Sequence, residues 1–528
     1  MPCLLTIPEL LSRQATRYPD RVAFIDGDRE IDFAEFNRLC NNTAAWLATQ
    51  GIGPGDRVAV WLVNRIEWLA LYFGLARIGA ALVTVNTRYR SNELEYLLQR
   101  SQAKMLVLQL NFRNIDFPAV LRDVAHAAAG SIDRVAVVDA DESMPPRVLG
   151  KPTVRFDLGS LPDATVPDRS SADALSILFT TSGTTGKPKL AMHPQRTIAL
   201  HSLRAARAFG FEEDGARLLG TLPFCGVFGF NPTCAAFAAG IPAVLMQTFD
   251  AAQAARLINR HKITHVFGSD EMHRLIIAQA SGDVPFPSAR VFGFACFHPG
   301  LIEFGQESWR RRIPVLGLYG SSEVQAFFSM QPVTQPLLRR IEAGGLPASE
   351  DAEVRIRDVD SGELLPPGVS GAIELRAPTN FTGYLNDAEA TAKAIDKDGF
   401  FRTGDIGRLR GDGTFVYETR MGDAMRLGGF LVSPVEIEEV LKAIPGVADA
   451  QVVAVDIAGR TRSVAFVIAS PNQVLHESDI IAKAAVGIAS FKVPARVWVV
   501  DEFPTTQSAN GIKIQRAKLR EMAMQLLG

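Results

Sequence analysis

Hydroxyl, glycine and lysine residues cluster between Thr180 and Lys189, in a pattern suited to holding phosphate. Glycines let backbone N–H groups approach phosphate oxygens closely, while hydroxyls and an ammonium group add donors and positive charge. The common NTPase loop needs four residues between its glycines, whereas only two separate Gly183 from Gly186. The spacing therefore predicts a different phosphate loop, with these candidate contacts: Thr180, Thr181, Ser182, Gly183, Thr184, Thr185, Gly186 and Lys187. The alternative is an ordinary Ser/Thr/Gly turn.

The elements that must position this loop alternate between strand-like and helical patterns. The loop follows the apolar strand 175–179, and an earlier strand at 57–62 precedes a helical pattern at 67–78. This alternation predicts an α/β fold with largely parallel sheets. Residues from about 139 to 173 are rich in proline and aspartate, and they predict a surface connection with little regular structure.

The pattern changes beyond residue 350, where apolar and polar residues alternate as they do in half-exposed strands. After Arg420 a compact order of elements predicts a small α+β unit. We expect helices at 434–444 and 477–488 and strands at 449–455, 463–468 and 496–500.

Length, charge and cysteine use narrow the class of protein. The chain has 528 residues, too many for one compact core, and a formal net charge of −2 with no Lys/Arg-rich run to attract nucleic acid. Five widely spaced cysteines favour a reduced, cytoplasmic setting, and the N-terminus does not resemble a signal peptide. The uncharged stretch 218–249 contains repeated prolines and glycines, so we expect a buried segment and no transmembrane span.

The string from Thr180 to Lys189 resembles the signature of the adenylate-forming superfamily, which includes acyl-CoA synthetases, peptide-synthetase adenylation domains and beetle luciferases. Further stretches resemble the family's motifs in the same order over nearly the whole chain: 319–323, 401–405, 420–423, 427–438 and 510–516. The resemblance implies a large N-terminal domain, residues 1–420, of mixed, mostly parallel sheets with flanking helices. It also implies a small mobile α+β C-terminal domain, residues 421–528.

The resemblance assigns roles around ATP to residues beyond the phosphate loop. Glu323 would hold Mg²⁺ against the phosphates, and a carboxylate suits this hard cation. Ser322 stands in place of the family's threonine and keeps its hydroxyl. Tyr319 would stack on adenine, Asp405 would accept hydrogen bonds from the ribose hydroxyls, and Arg420 would add a donor near the ribose.

The same resemblance assigns the catalytic lysine and the moving parts of the small domain. Lys513 would bridge the carboxylate and the phosphate as charge builds on both, although Ile512 is inserted between its glycine and the lysine. The small domain would rotate about Asp423 and exchange this lysine for a loop at Gly428 and Gly429. There coenzyme A would reach the acyl-adenylate.

Three stretches that resemble the family's acid-binding segments depart from its pattern. Gly226 stands where a histidine or aromatic residue is common, which opens space, and Phe294 is expected to narrow another wall. Asp270 and Glu271 either face solvent or indicate a polar acid. The phenylalanines of the uncharged stretch 218–249, with Phe327 and Phe328, predict that the acid carries an apolar fatty or aromatic group. The candidate pocket residues are Phe224, Gly226, Phe228, Gly293, Phe294 and Ala295.

The leading interpretation is an acyl-CoA ligase that uses ATP, Mg²⁺ and coenzyme A, with a small carboxylic acid as substrate. An enzyme that loads a carrier protein and a luciferase-like oxidase would share the motifs. A non-catalytic nucleotide-binding relative would be expected to lack Glu323, Asp405 or Lys513, and all three are present. The oligomeric state is left open, with a homodimer among the options.

Overall fold

The computed structural model describes residues 6–113, 115–181, 188–295, 301–359, 361–421, 425–428, 430–432, 434–508 and 511–527. Two large sheets dominate the first 420 residues. One sheet has eight strands, which lie side by side in the order Lys189–Pro194, Leu175–Thr181, Ala81–Thr84, Arg57–Trp61, Met105–Gln109, Arg134–Val138, Lys151–Phe156 and Arg147–Val148.

The second sheet has thirteen strands. They lie in the order Arg29–Asp32, Val22–Asp26, Ala243–Leu245, Leu218–Gly220, His265–Ser269, Val291–Ala295, Val315–Tyr319, Ser329–Met330, Gly344–Pro347, Phe415–Arg420, Phe401–Leu409, Gly371–Arg376 and Glu353–Arg357. The block from Val22–Asp26 to Val315–Tyr319 is parallel, and the strands after Tyr319 pair antiparallel. A two-stranded pair, Asn111–Phe112 with Ile115–Asp116, lies outside both sheets.

Helices cover the two sheets and fill the space between them. The helices of the first 420 residues are Ile7–Arg17, Phe33–Thr49, Ile66–Arg77, Ser91–Ser101, Phe117–Arg122, Gln195–Ala208, Val227–Ala239, Ala251–Arg260, Asp270–Ala278, Leu301–Arg310, Leu337–Arg340 and Ala388–Ala394, with short 3₁₀ turns at His126–Ala129 and Ser322–Val324. Ile66–Arg77 and Val227–Ala239 are almost wholly buried, and the rings of Trp68 and Phe230 meet at 5.6 Å between them. The uncharged stretch 218–249 is thus interior structure, as predicted.

The predicted irregular connection from 139 to 173 is wrong in one part. Lys151–Phe156 is a strand that pairs in parallel with Arg134–Val138, near the edge of the eight-stranded sheet. Because this position leaves much of the strand exposed, it carries no apolar run, and it tolerates Pro152. The sequence therefore lacked the pattern by which the other strands were recognised.

The chain after residue 420 builds a smaller α+β unit. Its elements are the strands Met425–Leu427, Phe430–Val432, Val447–Ile457, Arg460–Ala469, Val497–Val499, Thr505–Ser508 and Gly511–Ile514, and the helices Pro434–Lys442, Glu477–Gly487 and Arg516–Leu527. The expected elements are all present, with ends shifted by one to three residues. The α/β fold class is as predicted. The domain boundary at residue 421 stays a prediction, and its hinge, Asp423, lies outside the described residues.

No helix in the described ranges combines the length and the apolar character needed to cross a bilayer.

Candidate active site

Several predicted residues lie where parallel strands end. Thr180 and Thr181 close the strand Leu175–Thr181, and the antiparallel return strand begins opposite them, at Lys189. In the other sheet Tyr319 ends the last strand of the parallel block. Ligands of α/β sheets bind beyond the carboxyl ends of parallel strands, so this placement suits a nucleotide site. Ser182–Lys187 lie outside the described residues.

Tyr319 and Asp405 form a buried pair. The Tyr319 hydroxyl donates to Asp405 Oδ2 at 2.5 Å, although 86 residues separate the two in the chain. The Tyr319 ring packs edge-on against Phe415, with centroids 5.3 Å apart. Asp405 lies opposite Arg420 in the antiparallel pairing of their strands. The structure therefore brings together the backbone positions of the three residues predicted to hold adenosine.

Glu323 lies in a short 3₁₀ turn directly after this strand, with 7% of its surface exposed. Its Oε1 accepts a hydrogen bond from the Tyr384 hydroxyl at 2.8 Å. Its backbone carbonyl accepts from Phe381 at 2.8 Å. Lys189 Nζ lies 4.9 Å from the centre of the Tyr384 ring. Tyr384 thus connects the end of the phosphate loop with the proposed metal-binding carboxylate.

His193 holds the turn that carries Ser322 and Glu323. Gln325 Nε2 lies 3.0 Å from His193 Nδ1, and His193 Nε2 lies 2.8 Å from the Ser322 carbonyl oxygen. Burial lowers the pKa of His193 to about 4, so the ring is neutral near pH 7. In that state Nδ1 accepts from the amide and Nε2 donates to the carbonyl. Asn231 Nδ2 donates to Gln325 Oε1 at 3.0 Å, which extends the network to the helix Val227–Ala239.

Sequence reasoning missed His193, Gln325 and Tyr384. His193 falls at the end of the return strand, and the loop signature upstream of it could have drawn attention to that position. Tyr384 and Gln325 have no local pattern that separates them from ordinary surface or core residues. Their roles depend on contacts between segments that are 54 to 132 residues apart.

The segment around Gly226 begins the helix Val227–Ala239. A Cβ at Gly226 would meet only the Pro223 carbonyl oxygen, at 3.6 Å, so a side chain at this position would have room. Gly229 is different, because its Cβ would lie 2.3 Å from that oxygen. Phe224 is buried against Trp68, with ring centroids 5.5 Å apart, while Phe228 is partly exposed.

Gly293 and Phe294 lie on opposite faces of their strand and cannot line the same pocket. A Cβ at Gly293 would lie 2.5 Å from the Phe267 ring, between the sheet and the inner helices. The Phe294 ring packs instead against Phe304 in the outer layer, with centroids 5.3 Å apart. The expectation that Phe294 narrows the pocket beside Gly293 is therefore wrong, because side chains alternate along a strand. Ala295 is the next residue to face inward.

Asp270 and Glu271 have separate environments. Asp270 is fully buried as the first residue of its helix, with its carboxylate 4.0 Å from the Arg274 guanidinium. Glu271 is partly exposed and lies 3.7 Å from Arg460, which belongs to the small domain. Asp270 is therefore not exposed to solvent. Glu271 has the Arg460 guanidinium beside it.

The small domain presents the hairpin around Gly428 to the large one. Gly428 has a φ of +56°, and a Cβ there would lie 3.0 Å from Phe491 Cβ and 3.2 Å from Arg88 Nη1. Lys513 lies in the strand Gly511–Ile514, opposite Thr506. The side chains of Lys513 and Arg420, and the whole of Gly429, lie outside the described structure.

Family profiles cover most of the chain. Residues 11–385 match the AMP-binding enzyme profile, and residues 436–510 match the AMP-binding enzyme C-terminal domain. The chain belongs to the AMP-binding enzyme family. Its resemblance to adenylate-forming enzymes, predicted from six short motifs, is confirmed.

Relatives of this AMP-binding enzyme include CoA ligases that it matches from end to end. A 3-[(3aS,4S,7aS)-7a-methyl-1,5-dioxo-octahydro-1H-inden-4-yl]propanoyl:CoA ligase from Mycobacterium tuberculosis is 34% identical over 98% of this chain and 99% of its own. A ligase of the same name from Rhodococcus jostii is 30% identical over 98% of each. The o-succinylbenzoate CoA synthetase of Bacillus subtilis shares the fold, with a TM-score of 0.82 at 23% identity over 97% of this chain and 98% of that one. The predicted AMP-forming acyl-CoA ligase chemistry, with ATP and coenzyme A, is therefore confirmed for this family member.

Proposed function

We propose that this AMP-binding enzyme converts an apolar, ring-bearing carboxylic acid into its CoA thioester through an acyl-adenylate. The observation that carries the activation step is the buried pair of Tyr319 and Asp405, with Glu323 in the turn that follows the strand of Tyr319. Support for a ring-bearing acid comes from the relatives, which are named as ligases of a bicyclic propanoate.

In the first step the acid carboxylate attacks the α-phosphate and pyrophosphate leaves. Two anions must approach, so the site must supply positive charge and fixed donors. We assign Lys513 and Lys187 to this neutralisation by their motifs. Asp405 would accept from the ribose hydroxyls, and Tyr319 would pack against the base.

Glu323 is the proposed ligand for Mg²⁺. Tyr384 takes only one of its carboxylate oxygens, so the other can face a cation. Among the described residues no group of three or more His, Cys, Asp or Glu could hold a metal. A single carboxylate fits Mg²⁺, which keeps several waters and is otherwise bound by substrate phosphates. The ion would neutralise phosphate charge, and His193 would keep the turn of Glu323 in place.

In the second step the thiol of coenzyme A attacks the acyl carbon. A C–S bond forms, the bond from the acyl carbon to the phosphate oxygen breaks, AMP leaves and the thiol proton passes to solvent. The Gly428 hairpin is the proposed contact for the pantetheine arm, because glycines allow close approach of a ligand. Cys40, Cys225 and Cys234 are buried and free, which supports a reduced, cytoplasmic compartment.

The test is pyrophosphate release over a panel of acids, each with and without coenzyme A. The panel contains 3-phenylpropanoate, cyclohexanepropanoate, benzoate, octanoate and succinate. We expect release with the ring-bearing acids and thioester formation when coenzyme A is present. Glu323→Gln should abolish release, whereas Glu363→Gln, at an exposed position, is the matched control.

The absence of pyrophosphate release with every acid would contradict the ligase assignment. A preference for octanoate would contradict the ring-bearing class. Adenylate formation without any thioester would instead favour a carrier protein as acceptor.

A further inference from the structure

A lysine of the small domain is buried between two carboxylates at the domain interface. Lys492 Nζ lies 2.6 Å from Glu93 Oε1, on the large domain, and 2.5 Å from Glu436 Oε1, on the small one. The three side chains expose 6%, 6% and 11% of their surfaces. We call Glu93, Lys492 and Glu436 the lysine clamp.

The clamp is charged despite its burial. Burial alone would lower the pKa of Lys492, but Glu93 and Glu436 outweigh it and raise that pKa above its usual value. Burial raises the pKa of Glu436, against the influence of the lysine. A buried ion pair is a weak source of net stability, yet the loss of one partner is costly because it leaves a charge uncompensated. Such a cluster therefore favours one geometry strongly over arrangements that separate its members.

Both sides of the clamp have a further hydrogen bond within their own domain. Glu93 Oε2 accepts from the backbone N–H of Arg90 at 2.9 Å, which fixes the carboxylate at the start of the helix Ser91–Ser101. Ser463 Oγ donates to the backbone carbonyl of Lys492 at 2.9 Å. The Glu93 carboxylate and the Lys492 backbone therefore each have an anchor that does not depend on the other domain.

The clamp also adjoins the phosphate loop. Lys492 Nζ lies 5.6 Å from the centre of the Tyr89 ring, and the Tyr89 hydroxyl donates to Thr180 Oγ1 at 3.0 Å. Thr180 is the first residue of the predicted loop. Tyr89 therefore joins the cation of the small domain to the element that would carry the phosphates.

Further contacts between the two domains lie beside the clamp. A Cβ at Gly487 would lie 2.9 Å from the Asn92 amide, and the Arg88 guanidinium lies 5.8 Å from the centre of the Phe491 ring. Since Gly428 also packs beside Arg88, the clamp and the glycine hairpin belong to one continuous contact.

We propose that Lys492 is a positioning residue for thioester formation. By bridging Glu93 and Glu436, it holds the small domain, and with it the Gly428 hairpin, against the large domain. This inference rests on the proposed function for its second step. The clamp takes no part in acid activation, which uses the lysine on the strand Gly511–Ile514.

The test removes the arm of the clamp that crosses the interface. Glu93→Gln removes that charge, and glutamine can still accept from Arg90. Glu439→Gln, at an exposed position on the helix Pro434–Lys442, is the matched control. With 3-phenylpropanoyl-adenylate and coenzyme A, we expect Glu93→Gln to slow thioester formation at least tenfold. Pyrophosphate release should stay within twofold of the parent rate, and Glu439→Gln should change both rates by less than threefold.

Domain orientation gives a second readout that does not depend on the substrate. Nitroxide spin labels attached to the exposed substitutions Asp123→Cys and Asp501→Cys report the distance between the domains by pulsed electron paramagnetic resonance. Glu93→Gln should broaden this distribution, while Glu439→Gln should not. An unchanged distribution, or equal loss of both half-reactions in Glu93→Gln, would overturn the inference. If the parent protein makes no thioester, the proposed function fails, and the distance measurement still decides whether the clamp sets the orientation.

Discussion

Four buried histidines in the large domain should make that domain sensitive to mild acid. Burial lowers the pKa of His193 and His265 to about 4, and that of His201 and His273 to about 3. The unfolded chain has histidines near 6.5. Between pH 6.5 and 4 the unfolded chain therefore binds protons that the folded chain does not. The stability contributed by these groups is fully present above pH 6.5 and is lost as the pH falls.

The magnitude follows from the linkage of proton binding to unfolding. For one histidine, lowering the pH from 7 to 5 removes about 2 kcal/mol of unfolding free energy. Four such groups remove ~7 kcal/mol, a large part of the 5–15 kcal/mol that is typical of a domain. Burial raises the pKa of Asp26, which acts in the opposite direction, but it is one group against four.

Calorimetry at pH 7, 6 and 5 measures this effect directly. We expect the large-domain transition to fall by roughly 10 °C between pH 7 and 5. His201 Nε2 has no hydrogen-bond partner among the described residues, so His201→Leu should remove about a quarter of the pH dependence. His126→Leu, at an exposed histidine, is the matched control. A midpoint that does not move between pH 7 and 5 would refute the reasoning, and so would equal effects of the two substitutions.

Three further substitutions test packing, charge and the turn that carries Glu323. Gly229→Ala places a Cβ 2.3 Å from a carbonyl oxygen and should lower the free energy of unfolding of the large domain by about 3 kcal/mol, measured in urea. An unchanged free energy would contradict the close packing at the start of this helix. Arg516→Met leaves the buried Glu438 carboxylate uncompensated and should lower the free energy of unfolding by about 4 kcal/mol, measured on the small-domain transition. An unchanged value would contradict the burial of this charge. Tyr384→Phe removes the 2.8 Å hydrogen bond to Glu323 and should lower kcat/KM for pyrophosphate release about tenfold, with KM for coenzyme A unchanged as the internal control.

The secondary structure could be predicted wherever burial leaves a periodic pattern. The helix expected at 67–78 is Ile66–Arg77, and the small-domain helix expected at 434–444 is Pro434–Lys442. The strand Lys151–Phe156, near the edge of its sheet, was missed because an exposed strand needs no apolar run. Local sequence thus predicts interior elements better than edges.

The site could be predicted only as far as its motifs extend. Tyr319, Glu323 and Asp405 were identified from local strings, and the first and last of them do meet. Contacts such as Lys492 with Glu93 join residues 399 positions apart, and no local pattern announces them. The outward direction of Phe294 was also inaccessible, because it depends on the register of neighbouring strands.

The hydrogen-bond chain from Asn231 through Gln325 to His193 constrains how this enzyme could acquire new substrates. Asn231 lies on the helix that begins beside the proposed acid pocket, whereas His193 supports the turn of Glu323. We expect mutations that reshape the proposed pocket by moving this helix to disturb the turn of Glu323 as well, so selection for a new acid would carry a penalty in rate. Gly226 lies outside the chain of hydrogen bonds and has free space around it. We therefore expect substitutions at Gly226 to change the acid specificity with the smallest loss of rate, and it is the first position to randomise in directed evolution.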